Sequence, residues 1–225
     1  MTTSGTAAFN LDLVEIVEEA FERCGLEVRS GYDLRTARRS MNLMFADWAN
    51  RGLNMWTMEQ GSIVLVPGTR TYSLPNDTVD LLEHVIRTGT GQNQVEIAMA
   101  RISLSSYATI PTKETQGKPI QVLVNRTINP SVTVWPVPDT NGPYTLVYWR
   151  LRRMQDAGDG TNTMDVPFRF LPCMVAGLAY HLCLKLPGAG DRLNVLKAQY
   201  DEAWMAASDE DREKASVRLV PRIGW

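Results

Sequence analysis

Two histidines, His84 and His181, and three cysteines, Cys24, Cys173 and Cys183, are the side chains best suited to acid–base, nucleophilic or metal chemistry. His84 follows Glu83 inside a run that reads as a strand. Neighbouring strand residues point to opposite faces, so the two do not form an acid–base pair. His181 lies two residues from Cys183 in an apolar helical segment, and residues two apart on a helix do not share a face. It reads as a hydrogen-bonded core histidine. The cysteines form an odd set without a close pair, which predicts reduced, buried thiols in a cytosolic setting. A metal centre needs three or four converging ligands, and no such spacing occurs. There is no P-loop and no G-x-S-x-G elbow; Gly89-Thr90-Gly91 is followed by Gln92-Asn93-Gln94, which makes it a turn and not a nucleotide fingerprint. A hydrolase working through Glu83, His84 or Cys183 has only the presence of those residues in its favour. The expectation is a protein without catalytic residues, cofactor or metal.

Charge offers a second kind of chemistry. Twenty-three Lys and Arg against twenty-five Asp and Glu give a net charge of −2, which disfavours a globally basic nucleic-acid binder. Arginine clusters nevertheless stand at Arg35, Arg38 and Arg39 and at Arg150, Arg152 and Arg153. Either could grip phosphate bidentately, as a DNA-binding regulator would. Neither is interleaved with aromatics, and inter-subunit or intramolecular ion pairs with acidic faces such as Glu18 and Glu22 are the favoured reading. Glu15, Glu18, Glu19 and Glu22 together read as a solvated face. The end of the chain carries Arg212, Lys214, Arg218 and Arg222 against Glu213, a local charge of +3 suited to an acidic partner.

The elements that must position these groups follow from periodicity. A helix is predicted from Asn10, as its cap, to Cys24, with Leu13, Val17, Ala20, Phe21 and Cys24 inward and Gly25 as its stop. A second runs from a cap at Asp33 to about Asn50, with Leu34, Ala37, Met41, Met44, Phe45 and Trp48 as its stripe. The middle of the chain changes to short alternating runs: Ser62–Val66 and Thr71–Leu74 around Pro67-Gly68, read as a hairpin, then Val79–Thr88, Val95–Met99, Ile120–Asn125, Ser131–Trp135 and Tyr144–Arg152. A short helix is placed at Ser103–Ala108. This predicts an antiparallel sheet or small sandwich. Helices return at Phe168–Leu186 behind Pro167, where Ala176, Gly177 and Ala179 permit close packing, and at Asp191 to about Asp209. The longest apolar stretch, Phe170–Leu186, is broken by Pro172, His181 and Lys185 and is shorter than the roughly 20 residues of a membrane span. Residues 1–8 lack the features of a signal peptide.

The resulting expectation is an α+β chain: a four-helix bundle from residues 9–55 and 165–211, an inserted antiparallel β domain at 56–164, and an extended tail at 212–225. Val217, Leu219, Ile223 and Trp225 alternate with polar residues and have no core of their own. The tail therefore reads as an arm for another subunit's sheet edge, against the alternative of a frayed end packing on its own domain.

Read in order, these segments resemble the head-to-tail adaptors of short-tailed bacteriophages, the tail tubular protein A and portal-accessory family. The likeness is carried by Ala37-Arg38-Arg39-Ser40-Met41-Asn42-Leu43-Met44 through Trp48, Gly52-Leu53-Asn54 and Trp56, then by Val66-Pro67-Gly68-Thr69-Arg70-Thr71-Tyr72-Ser73-Leu74-Pro75 and Val79-Asp80-Leu81-Leu82. Gly117-Lys118-Pro119, Val134-Trp135-Pro136-Val137-Pro138, Val166-Pro167-Phe168-Arg169-Phe170-Leu171-Pro172 and Ala215-Ser216-Val217-Arg218-Leu219-Val220-Pro221 complete it, so it spans about 9 to 221. The resemblance implies a virion structural protein at the head–tail junction, assembled in the host cytoplasm. It implies a ring of about twelve copies under the portal protein, with double-stranded DNA passing through without sequence specificity, and a platform for tail tube, nozzle or fibre proteins. No membrane is involved. It further implies that the helices form the ring wall and that Val217, Arg218, Leu219, Val220, Arg222, Ile223 and Trp225 reach the portal. Arg35, Arg38, Arg39, Glu15, Glu18 and Glu22 are the expected inter-subunit or channel contacts. The β insertion is longer than a minimal adaptor needs. A tail-tube or terminator ring subunit and a DNA-binding protein are the alternatives.

Overall fold

The computed structural model describes residues 3–6, 9–29, 31–52, 55–158 and 162–212. In chain order the elements are helices α1 (Leu13–Cys24) and α2 (Gly31–Asn50); strands β1 (Met58–Leu65), β2 (Thr71–Ser73), β3 (Thr78–Thr88), β4 (Val95–Ala98) and β5 (Ala100–Arg101); and the short helix α3 (Leu104–Ala108). Strands β6 (Gln116–Gly117), β7 (Gln121–Asn125), β8 (Ser131–Trp135), β9 (Val137–Pro138) and β10 (Tyr144–Arg152) follow, then helices α4 (Leu171–Cys183) and α5 (Leu193–Glu210). The mixture is α+β. Contacts divide the chain into two compact units, Met1–Trp56 with Met154–Trp225 and Thr57–Arg153.

In the helical unit, α1 starts later than the sequence suggested. Its cap is Asp12, not Asn10: the Glu15 N–H donates to Asp12 Oδ1 (2.9 Å) and the Asp12 N–H donates to Glu15 Oε2 (3.0 Å). This reciprocal pair satisfies two of the donors that a helix start leaves free. Similarly, α2 begins at Gly31, before Asp33, whose carboxylate in the first turn accepts from the Arg29 N–H (3.1 Å). Pro167 does not open α4. A 3-10 turn at Phe168–Phe170 intervenes, and Pro172 occupies the first helical turn, where its missing N–H is not needed.

Helix α4 is the hub. Every residue from Cys173 to Ala179 is buried, and the helix packs on α1, α2 and α5. Gly177 is required there, because a Cβ would come within 2.5 Å of Met44 Sδ and 2.7 Å of the Tyr200 ring. Beside it, Trp48 is fully buried and donates its indole N–H to Tyr200 Oη (2.8 Å). The rings of Phe45, Phe170 and Trp204 stand 5.2–5.7 Å from it. Ala157 and Met164 join this core, so the stretch after β10 belongs with the helices.

The β unit contains two four-stranded sheets, β1-β10-β3-β4 and β2-β8-β7-β5, and the small pair β6-β9. The long pairings are antiparallel, while β5–β7 and β6–β9 are parallel. Leu81, Ile86, Tyr144, Leu146 and Tyr148 from the first sheet meet Val122, Val132 and Val134 from the second in a shared apolar core. The expected hairpin between Ser62–Val66 and Thr71–Leu74 does not form. β1 pairs with β10 and β2 with β8, in different sheets. The reason lies in the turn. Thr69 N–H donates to Val66 O (3.0 Å) with Gly68 at φ +79°, the geometry of a Pro-Gly type II turn, which splays its strands instead of matching their twist. Tyr72 Oη fixes that turn, accepting from the Val66 N–H (2.9 Å) and donating to Thr69 O (2.8 Å).

Candidate functional site

The residues best suited to catalysis are scattered and buried. His84 is 6% exposed on β3 while Glu83 is exposed, so strand alternation keeps them apart as expected. A register shift between Trp149 and Arg150 gives β3 an extra residue, which turns both Leu81 and His84 inward. Neither ring nitrogen of His84 has a partner among the described residues, and burial pushes its pKa below the usual histidine value. His181 sits beside the Tyr180 and Tyr200 rings at 5.3 and 6.3 Å. Its Nε2 is buried without a partner among the described residues, so the expected hydrogen-bonded role fails at that atom. Its pKa too is lowered by burial.

The three cysteines are buried and free. Cys24 Sγ donates to Ala179 O (3.2 Å) and Cys183 Sγ to Ala189 O (2.7 Å), so these thiols tie the end of α1 to α4 and the end of α4 to the connection before α5. Burial pushes the Cys24 thiol up to about 11 and that of Cys173 to about 12, which leaves both protonated near neutrality. Histidines and cysteines thus contribute packing, and among the described residues no hydrogen bond joins a cysteine to a histidine.

Charge is organised differently. Arg150, 9% exposed on β10, donates through Nη1 to Asp77 Oδ1 (2.5 Å) and Thr78 Oγ1 (3.0 Å). Its Nη2 reaches Glu59 Oε2 (2.8 Å) and Asp77 Oδ2 (3.2 Å), and Arg152 Nε shares Glu59 (2.7 Å). The Arg150 hydrogen bonds hold the Asp77 carboxyl below its usual range. Arg150 and Arg152 of the second arginine cluster are therefore built into intramolecular pairs, as the sequence reading favoured over phosphate contact. In the first cluster, Arg38 is half-buried and donates to Gly158 O (3.1 Å), whereas Arg35 and Arg39 are exposed and make no hydrogen bond or ion pair with described residues.

On α1, Glu15 holds the helix start and Glu19 pairs with Arg23 (2.9 Å). Glu18 and Glu22 are exposed and make no ion pair among the described residues. These acids rim a groove of about 420 Å³ whose apolar floor is Leu11, Leu171, Pro172 and Val175. A second groove of about 530 Å³, lined by Ala176, Glu202, Ala203 and Ala206, shares Arg23 and Pro172 with it.

The end of α5 is anchored. Asp211, buried at the end of α5, pairs with Arg169 and accepts from the Met55 N–H (3.0 Å). Sequence reasoning missed this anchor, because Asp211 stood in a charged run with no visible partner. The expected portal-contacting residues Val217, Arg218, Leu219, Val220, Arg222, Ile223 and Trp225 lie outside the described residues.

Compared with known protein families, residues 12–222 match the SU10 adaptor protein family, nearly the whole chain. The chain belongs to that family. Membership agrees with the resemblance to phage head-to-tail adaptors and gives the chain a structural role among virion components. A search of curated proteins gives no match. No helix among the described residues is long and apolar enough to cross a membrane.

Proposed function

We propose that this chain is the head-to-tail adaptor of a short-tailed phage, assembled in the host cytoplasm as a ring of about twelve copies beneath the portal. The four helices act as the bundle-like wall of the ring, and residues 212–225 act as the arm that engages the portal. The ring extends the DNA channel and gives tail tube or fibre proteins their platform. The observation that carries this reading is the family match over residues 12–222. Two structural features support it. The arm starts from a fixed point, because Asp211 is tied to Arg169 and Met55. Arg150 and Arg152 are occupied within the fold, which suits a channel that must let DNA slide, since each free phosphate contact adds salt-dependent affinity.

An arm with alternating apolar residues gains by adding to a partner's sheet edge, where backbone hydrogen bonds supply affinity and side chains supply register. Binding on a portal template also raises the effective concentration of neighbouring copies. Native mass spectrometry of the chain mixed with the portal ring of its virion tests the proposal. Full-length protein is expected to bind at about twelve copies per ring, and a version ending at Asp211 is expected to stay folded and not bind. Full-length protein that fails to bind at tens of micromolar overturns the adaptor role; unchanged binding after truncation overturns the arm alone.

A further inference from the structure

The helical unit carries two exposed, complementary faces that do not meet each other. On α2, Arg35, Arg39 and Leu43 recur every four residues, about 6 Å apart along the axis. Both arginines are exposed and Leu43 is 61% exposed. On α1, Glu18 and Glu22 have the same spacing and rim the apolar floor of Leu11, Leu171, Pro172 and Val175. No ion pair joins the two faces within the chain, and the described residues supply none of these four charges with another one.

We propose that the Arg35–Arg39–Leu43 stripe of one copy docks into the Glu18–Glu22 groove of a second copy. Arg35 and Arg39 meet the two carboxylates at matching pitch, and Leu43, one turn further on, covers the apolar floor. The occupant is a second copy because the complementary stripe is on this chain, on the same compact unit, and is left unsatisfied there. A contact between two different faces is heterologous, so each docked copy still offers one free stripe and one free groove; repetition continues past a dimer, and a portal template that fixes the rotation between copies closes it as a ring. This inference rests on the ring reading above and deepens it by naming the surfaces.

Charge reversal in both partners tests it, read by native mass spectrometry with the portal ring and by sedimentation of the chain alone up to the millimolar range. Glu18→Lys with Glu22→Lys is expected to weaken ring assembly by about tenfold or more, and Arg35→Glu with Arg39→Glu equally, because like charges then face each other. Mixing the two reversed proteins, one of each, restores contacts only between unlike copies, and combining all four changes in one chain restores the ring. Circular dichroism of each variant is expected to match wild type, since the altered side chains are exposed. Rings that persist in both double variants overturn this interface and leave the adaptor reading standing. Rings lost only on reversing the glutamates assign the groove to another basic segment, such as the chain end, and overturn the pairing. A wild-type chain that neither self-associates nor assembles on the portal overturns both readings.

Discussion

The helical unit and the β unit differ in where they leave their charges. In the β unit Arg87 pairs with Glu96 and Arg101 with Asp80, while Arg150 and Arg152 converge on Asp77 and Glu59. The helical unit buries a wide aromatic and sulfur-rich core around Trp48 and α4, yet leaves Glu18, Glu22, Arg35 and Arg39 exposed and without an ion pair among the described residues. An isolated exposed charge contributes little to folding. The difference therefore teaches that the β unit pairs most of its arginines with its own carboxylates, whereas the helical unit leaves two charged faces without ion pairs among the described residues. That is the division the proposed ring, built by the helices, would produce.

The largest expected effect lies in the helical core. Trp48→Ala removes the ring shared by Phe45, Phe170 and Trp204 and orphans the Tyr200 hydroxyl, at a cost of about 3–5 kcal/mol. Hydrogen exchange is expected to lose protection across α2, α4 and α5 while Ile86 and Leu146 in the β core keep theirs. Equal loss in both units would erase the distinction between them.

A smaller effect is expected in the β unit. Arg150→Ala takes away a buried guanidinium that four side-chain hydrogen bonds hold in place. Asp77 and Glu59 are nearly half exposed and regain water, so the loss is about 1–2 kcal/mol, below that of a fully buried pair. Urea unfolding measures the loss, and an NMR titration is expected to show the Asp77 carboxyl returning toward its ordinary range.

The smallest effect is a pH dependence. His84 has a lowered pKa in the folded chain because burial disfavours its charged form. Its stabilising contribution is whole above the unfolded-state value of about 6.5. As the pH falls below that value the unfolded chain takes up a proton that the folded chain refuses, and stability declines until the pH has passed the lowered folded value. His84→Leu, read by thermal melts from pH 7.5 to 5, is expected to flatten that decline. An unchanged slope would assign the acid sensitivity to other groups, His181 of the helical unit first among them.

Local signals made most of the elements legible. The stripe from Leu34 to Trp48 marked α2, and the runs at Ile120–Asn125, Ser131–Trp135 and Tyr144–Arg152 marked strands that form with almost those bounds. Gly177 was readable as a close-packing residue, since a helix with a small-residue patch has few other reasons for one. Boundaries were less legible where two residues compete for one role: Asp12 caps α1 in place of Asn10 because Glu15 stands three residues beyond it and closes the box. The candidate assembly surfaces were visible as charged faces, but their state was not. Nothing in the spacing of Arg35, Arg38 and Arg39 says that Arg38 turns to Gly158 while its neighbours remain exposed.

By itself, then, the sequence determined the α+β composition, the helical stripes and the strand runs, because periodicity and turn chemistry act over a few residues. Only the tertiary structure decided that β1 joins β10 and not β2, that Asp211 anchors on Arg169 and Met55, and that Arg150 is satisfied within the fold. Each of these joins residues far apart in the chain. Which strand edge or carboxylate a group meets depends on the packing of whole sheets and helices, and no local pattern encodes that.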